Sequence, residues 1–186
     1  MNLRFVTKNP HKASEVQEIL RPTGVKIIHA PVEIHEIQIE DIHAIVRDKV
    51  LKAFTIIGRP VFIEHTGLYI DSLNGFPGGL TQVFWDKLQA EQFAALFGGL
   101  ASTALTARTV IAYCDGRKIH TFDGEIRGRI APEPKGDRAF QWDCIFIPAD
   151  FDKTFAELGS VKNEISMRRR AFDKFSDYLL RGHHNG

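Results

Sequence analysis

Residues 1–15 have the sequence MNLRFVTKNPHKASE, and this stretch decides the predicted fold. The apolar run at 3–6 predicts a short buried strand, and a helix is predicted to begin at Pro10. Asn9 suits the helix N-cap and Pro10 suits the first helical position. Backbone N–H groups at a helix start are unpaired and partly positive, so they attract anions and above all phosphate. The stretch therefore predicts a strand that leads into an anion-binding corner.

Four polar side chains of this corner are candidate phosphate ligands: Thr7, Lys8, Asn9 and Lys12. The lysines add full positive charge, and the other two add short hydrogen-bonding groups. The spacing is not that of a P-loop, G-x-x-x-x-G-K-[ST]. The same residues also suit an ordinary strand-to-helix turn with solvated lysines. On these residues alone, the ordinary turn is the better interpretation.

The composition predicts one globular domain over residues 1–186. Apolar residues make up 44% and charged residues 25%, which is typical of soluble proteins. The net charge of +1 gives no general attraction to nucleic acid or to a membrane. The two cysteines, Cys114 and Cys144, fit a reducing, cytoplasmic location. No signal-peptide pattern and no apolar run of about 20 residues is found, so we expect no membrane span.

The order of apolar patterns predicts a mixed α/β sheet, since strands and helices alternate first and strands cluster in the middle. Strands are predicted at 3–6, 25–30, 61–63, 107–113, 118–122, 125–130 and 144–147, with helices from Pro10, from Ile42, over 82–97 and over 164–180. The run 61–63 is typical of a buried central strand that delivers Glu64, His65 and Thr66 at its carboxyl end, where ligands gather in open α/β sheets. The glycine-rich segment 67–79 is predicted to be a loop over that site.

Three further sets of residues are candidates for chemistry. An acidic set, Glu36, Glu64 and Asp71 with His65 beside it, suggests Mg²⁺ held between protein oxygens and substrate phosphates. An aromatic set, Phe140 and Trp142 with Asp143, suggests a base pocket, although a strand that enters the core explains it about as well. A basic set comprises Lys162, Asn163 and Arg168 to Arg170. Three consecutive arginines on a helix cannot all face one site, so one is expected to face a ligand.

Taken together, these regions resemble the inosine triphosphate pyrophosphatase (Ham1-like) family. The family's opening motif T-x-N-x-x-K-x-x-E is complete at Thr7, Asn9, Lys12 and Glu15. Its motif E-D-[ST]-G-L-x-[VI]-D-x-L-x-G-x-P-G appears at residues 64–78 as EHTGLYIDSLNGFPG. Its motif F-G-[WY]-D-P-x-F appears at 140–146 as FQWDCIF, and its final motif appears at 156–158 as AEL and at 162–168 as KNEISMR. The motifs occur in order over nearly the whole chain.

The resemblance implies an elongated two-lobed α/β fold with a cleft between the lobes, in a homodimer. It implies metal-dependent attack of water on the α-phosphate of non-standard purine nucleoside triphosphates, which gives a monophosphate and pyrophosphate. Lys12, Glu64 and His65 would be catalytic, and Glu36, Glu64 and His65 would bind Mg²⁺. The residues that would bind substrate are Thr7, Lys8, Asn9, Lys12, Lys49, Thr66, Phe140, Trp142, Asp143, Lys162 and Arg168. No nucleic acid or membrane partner is implied.

Four positions depart from the family pattern. His65 stands where the family has an aspartate that binds metal, so Mn²⁺ is an alternative to Mg²⁺ because imidazole suits softer ions. Met167 replaces a histidine that contacts the base, and a thioether cannot donate that hydrogen bond. Gln141 replaces a glycine and Cys144 replaces a proline.

Two hypotheses of function follow: a pyrophosphatase with altered base or metal preference, or a catalytically impaired nucleotide-binding protein that acts as a sensor or partner subunit. A nucleic-acid binder that uses Arg168 to Arg170 is a third, which the net charge disfavours.

Overall fold

The computed structural model describes residues 2–182, except for the side chain of His11. One mixed sheet of seven strands organises the chain, in the order β2-β1-β3-β5-β6-β7, with β4 paired to β3. The strands are β1 (Asn2–Val6), β2 (Lys26–Ala30), β3 (Val61–Ile70), β4 (Pro77–Gly78), β5 (Ala104–Cys114), β6 (Ile119–Ile130) and β7 (Phe146–Pro148). β1 is parallel to β2 and β3, whereas the other pairs are antiparallel. The predicted α/β class and mixed sheet are confirmed.

Within residues 2–182, six α-helices accompany the sheet: α1 (Pro10–Leu20), α2 (Ile42–Ile57), α3 (Thr81–Phe97), α4 (Phe155–Leu158), α5 (Lys162–Ile165) and α6 (Met167–Gly182). At the start of α1 the backbone N–H of Lys12 donates to Asn9 Oδ1 at 3.3 Å, which confirms Asn9 as the cap. Asp41 caps α2 by accepting hydrogen bonds from two backbone N–H groups. No helix within residues 2–182 combines the length and apolar character needed to cross a membrane.

The buried residues form three clusters that define two ends of the molecule. Helices α1 and α6 cover one face of β1 and β3, around stacked Phe5 and Phe62. Helix α2 covers the opposite face, around Val46 and Ile63. The third cluster packs α3 against the far ends of β3, β5 and β6. This arrangement agrees with the two-lobed expectation.

The prediction of a loop over 67–79 is wrong at both ends. β3 continues to Ile70, and β4 pairs with it at Leu68 and Tyr69. The glycine content reflects close packing rather than a loop, since a Cβ on Gly67 would lie 2.5 Å from the carbonyl oxygen of Gly78. Only the short 3₁₀ turn Asp71–Leu73 and the residues after it leave the sheet.

Two other boundaries differ from prediction. Residues Gln141–Cys144 form a 3₁₀ turn, and the strand begins later, at Phe146. The last helix is broken at Ser166, which adopts an extended conformation, while its hydroxyl accepts a hydrogen bond from the backbone N–H of Arg169. The break lets the chain change direction just before Met167 and Arg168.

We expect Gly124→Ala to lower the free energy of unfolding by about 1–3 kcal/mol or more, because overpacking displaces neighbouring backbone. A Cβ there would lie 2.1 Å from the carbonyl oxygen of Met167 and 2.4 Å from the nitrogen of Ala171 on α6. Urea denaturation measures the change. Gly99→Ala is the control, because no atom lies within 4 Å of its added Cβ. Equal stability of the two variants would contradict this account of β6 packing against α6.

Candidate active site

A cavity of about 300 Å³ lies between the start of α1, the middle of β3 and the segment that leads to α6. It brings together every predicted site residue except Thr7 and Lys8: Asn9, Lys12, Glu36, Lys49, Glu64, His65, Thr66, Phe140, Trp142, Asp143, Lys162 and Arg168. Their predicted roles stay predictions. Thr81, Gln82, Ala139, Gln141 and Met167 complete the wall.

Thr7 and Lys8 line an adjacent cavity of about 280 Å³. This second cavity shares Lys12, Lys49 and Glu64 with the first, so the two lie next to each other at these side chains. Thr7 Oγ1 accepts a hydrogen bond from the backbone N–H of Asn9 at 3.1 Å, which shapes the corner. Lys8 is exposed and pairs with Glu33 at 2.6 Å.

The carboxylate of Glu64 is the most deeply buried acid in the cavity wall, with 2% of its side chain exposed. Arg168 binds it through two nitrogens, Nε to Oε2 at 2.9 Å and Nη2 to Oε1 at 3.1 Å, and Lys12 Nζ lies 2.8 Å from Oε1. Arg168 also reaches Glu15 at 3.0 Å. Burial favours the neutral acid, but the charges of Arg168 and Lys12 outweigh it and hold the pKa of Glu64 well below its usual range. Glu64 is therefore an ionised anchor.

Glu36 also lies in the cavity wall, between a lysine and a histidine. Its Oε2 is 2.6 Å from Lys49 Nζ and 3.4 Å from His65 Nδ1. Burial raises the pKa of this carboxyl, but the bonds and charges of His65 and Lys49 outweigh burial and lower it to about 2. Glu36 is thus a carboxylate at neutral pH.

His65 is held at both ring nitrogens. Its Nε2 lies 2.9 Å from the carbonyl oxygen of Gly79, which can only accept, so Nε2 carries a proton. Its Nδ1 faces the carboxylate of Glu36, which also accepts. Both ring nitrogens of His65 therefore have a neighbour in the cavity wall, so binding of a metal ion through either nitrogen would require that neighbour to move.

The other end of the cavity combines an exposed ring with a buried ion pair. Phe140 is 43% exposed, and the Lys162 ammonium lies 4.8 Å from its ring centre. Lys162 also pairs with Asp143, yet burial outweighs that charge and raises the pKa of Asp143. Trp142 is largely buried and packs edge-on against Phe146, so it serves the core as well as the cavity. Phe140 is the ring that a flat ligand can reach.

The metal-binding role predicted for Glu36, Glu64 and His65 stays a prediction. Among residues 2–182, no group of three His, Cys, Asp or Glu side chains is placed to hold an ion. Both oxygens of Glu64 are bound by cations, and both nitrogens of His65 are engaged. Glu36 fits a metal best, because its contacts with Lys49 and His65 use the same oxygen, Oε2.

The acidic and basic sets predicted from the sequence differ from what the structure brings together. Asp71 lies away from the cavity, where Arg127 binds both of its oxygens at 2.9 and 2.7 Å, so the acidic set loses it. The three consecutive arginines do not share a face. Arg168 is buried, Arg169 pairs with Asp173, and Arg170 donates to the backbone carbonyl of Glu125.

Sequence reasoning missed the partners that hold the site. Thr81 lies at the start of α3, accepts a hydrogen bond from the backbone of Leu68 and donates one to the carbonyl of Gly78. Its position after a glycine-rich turn at a helix start was an available signal. The pairing of Glu15 with Arg168 spans most of the chain, and no local pattern indicates it.

The sequence profile of the Ham1 family matches residues 3–178. A dITP/XTP pyrophosphatase of Pyrobaculum aerophilum is 37% identical over 180 residues, with 96% of each chain covered. An inosine triphosphate pyrophosphatase of Saccharomyces cerevisiae is 35% identical over 186 residues, with 94% of each covered. The solved structure of the Staphylococcus aureus Ham1 protein superposes with a TM-score of 0.81 at 21% identity, covering 98% of this chain and all of that one.

We expect Arg168→Met to lower the free energy of unfolding by about 3–5 kcal/mol, because buried Glu64 loses its main partner. Arg169→Met is the matched control on the same helix. Its exposed pair with Asp173 should contribute less than about 1 kcal/mol. Chemical denaturation at neutral pH measures both, and equal losses would contradict the anchoring role of Arg168.

Proposed function

The chain belongs to the Ham1 family, and on that premise we propose that it hydrolyses non-standard purine nucleoside triphosphates to a nucleoside monophosphate and pyrophosphate. The observation that carries the proposal is the polarity of the cavity. Lys12 and Lys49 stand toward the helix start at Asn9, whereas Phe140 and the Asp143–Lys162 pair stand at the other end. One end suits phosphates and the other suits a base.

The names of the relatives support the purine class. Proteins of similar length and 33–38% identity are named dITP/XTP pyrophosphatases, and yeast relatives are named inosine triphosphate pyrophosphatases. Met167 lies in the cavity wall and is 2% exposed, so it offers contact without a strong hydrogen bond. We therefore propose that selectivity at that point depends on shape rather than on hydrogen bonding.

The ionised carboxylates position the cations that would bind the triphosphate. Glu64 holds Lys12 and Arg168, and Glu36 holds Lys49. Phosphoryl transfer depends mostly on placing charge and aligning the attacking water, so fixed cations are the main contribution that the chain can make. Thr66 and Asn9 add polar contacts at the same wall.

A divalent ion fits beside Glu36. Mg²⁺ is commonly held by one or two carboxylates together with substrate phosphates, and Glu36 supplies one such group. We propose Mg²⁺ as the cofactor, with Glu36 as its first protein ligand. The ion would neutralise phosphate charge. Glu64 or His65 could ligate the ion only after leaving its present partners. The same holds for the Mn²⁺ alternative, because it depends on ligation by His65.

We also propose that the enzyme is a homodimer in a reducing compartment. Leu51 and Ile56 on α2 are 51% and 61% exposed, and they provide apolar surface for the homodimer that the resemblance implies. Cys114 and Cys144 are both buried free thiols, which suits a reducing compartment such as the cytoplasm.

We expect purified protein to release pyrophosphate and monophosphate from inosine and xanthosine triphosphates faster than from the four common nucleotides. Lys12→Met should lower kcat/KM by about 10²-fold or more, because a positioned donor to the phosphates is lost. Lys153→Met, on an exposed loop, is the control and should retain activity. Assays with Mg²⁺ and then Mn²⁺ test the cofactor. No release with either metal would remove the enzyme proposal for these substrates.

His65 favours the alternative of an impaired nucleotide-binding protein. We nevertheless expect His65→Asp to lower activity, because aspartate cannot donate to the carbonyl of Gly79 and would repel Glu36. Steady-state assays with both metals and nucleotide-binding titrations measure the outcome. A large gain in Mg²⁺-dependent turnover would show instead that His65 disables the site.

A further inference from the structure

A chain of side-chain hydrogen bonds crosses the cavity wall from α3 to the 3₁₀ turn. Asp86 Oδ1 accepts a hydrogen bond from Gln82 Nε2 at 2.6 Å, and Gln82 Oε1 accepts one from Gln141 Nε2. Gln82 and Gln141 line the cavity, and Asp86 lies one helical turn after Gln82. We call Asp86, Gln82 and Gln141 the amide chain.

The backbone at Gln141 marks an unusual position. Its φ is 42°, a left-handed conformation that glycine adopts freely and glutamine rarely does. The residue stands between Phe140 and Trp142, on the half of the cavity that suits a base. A glutamine in this conformation is a candidate for a specific contact.

The carboxylate fixes the direction of both amides. An ionised aspartate can only accept, so Gln82 must turn its NH₂ group toward Asp86 and its oxygen toward Gln141. Gln141 must then turn its NH₂ group toward Gln82. Its oxygen and its second N–H remain for a ligand. A freely rotating glutamine could place its oxygen and its N–H at either of two positions. The side chain of Gln141 places each group at one fixed position.

The two orientations of the amide suit different purine bases. Hypoxanthine, xanthine and guanine carry an N1–H donor beside a 6-oxo acceptor, whereas adenine carries an N1 acceptor beside a 6-amino donor. An amide of fixed direction pairs with one pattern and places like groups against the other. A mismatched polar pair between the amide and the base is costly, because both groups lose water on binding without gaining a partner.

We propose that Gln141 reads the N1 and C6 edge of the base, and that Gln82 and Asp86 are positioning residues that make it select 6-oxopurines over adenine. This rests on the proposed function for the substrate class. The proposal adds the groups that discriminate between bases, and it implies that guanine makes the same contact with Gln141 as hypoxanthine does.

The test compares inosine, guanosine and adenosine triphosphates in the wild type and in Gln141→Ala, Gln82→Ala and Asp86→Ala. We expect the ratio of kcat/KM for inosine to that for adenosine triphosphate to fall by about 10-fold or more in each variant. In the two positioning variants the fall should come mainly from faster adenosine triphosphate turnover. The preference for guanosine over adenosine triphosphate should fall in parallel.

Arg138→Ala is the matched control. Arg138 pairs with Glu91, which ties α3 to the segment before the 3₁₀ turn outside the cavity. Arg138→Ala should leave the ratios of kcat/KM unchanged. If Arg138→Ala lowers these ratios as much as the amide-chain variants do, or if no amide-chain variant changes them, the inference is overturned and the amides only hold the wall together.

Binding separates failure of this inference from failure of the proposed function. Dissociation constants for inosine and adenosine monophosphates, measured by calorimetry, give the same selectivity ratio without hydrolysis. Suppose that the wild type hydrolyses no triphosphate, yet Gln82→Ala loses the preference for inosine monophosphate over adenosine monophosphate. That result would refute the proposed enzyme activity and support base recognition by Gln141. Unchanged binding ratios in all three variants would refute the base reader.

Discussion

The buried carboxylate of Glu64 is the constraint on which the rest of the structure depends. A central strand delivers this acid into the interior, and an isolated carboxylate there would be very costly. Lys12 from α1 and Arg168 from α6 offset that cost, and Arg168 draws Glu15 into the same network. Because each partner comes from a different element, β3, α1 and α6 must pack together for the site to exist. Folding and assembly of the site are thus the same event.

Local rules explain the parts that the sequence predicted correctly. Asn9 and Pro10 form a helix start because capping and φ preference act within a few residues. The run 61–63 predicted a strand because central strands are continuously apolar. Together they placed the start of α1 and Glu64 correctly, and the resemblance to a family grouped them with Phe140, Asp143 and Lys162, which line the same cavity.

The parts that failed depend on contacts between distant segments. Glycine content suggested a loop at 67–79, but Gly67 is required where the backbone of Gly78 approaches β3. The helix predicted over 164–180 is interrupted at Ser166, where the backbone is extended. That break places Met167 and Arg168 in the cavity wall. Asp71 was grouped with the acidic site by type, although its partner Arg127 lies on β6.

The charge arrangement of the cavity sets how it can accept a triphosphate. Among the described residues of its wall, Lys12, Lys49, Lys162 and Arg168 each contact a carboxylate already. An incoming phosphate therefore shares cations that protein carboxylates hold in place, instead of collecting mobile lysines. This costs less side-chain entropy on binding, because the ammonium groups are ordered beforehand. His65 stands beside Glu36 where the family pattern has an aspartate. The substitution removes a negative charge at that point, so it favours phosphate and disfavours a second metal ligand.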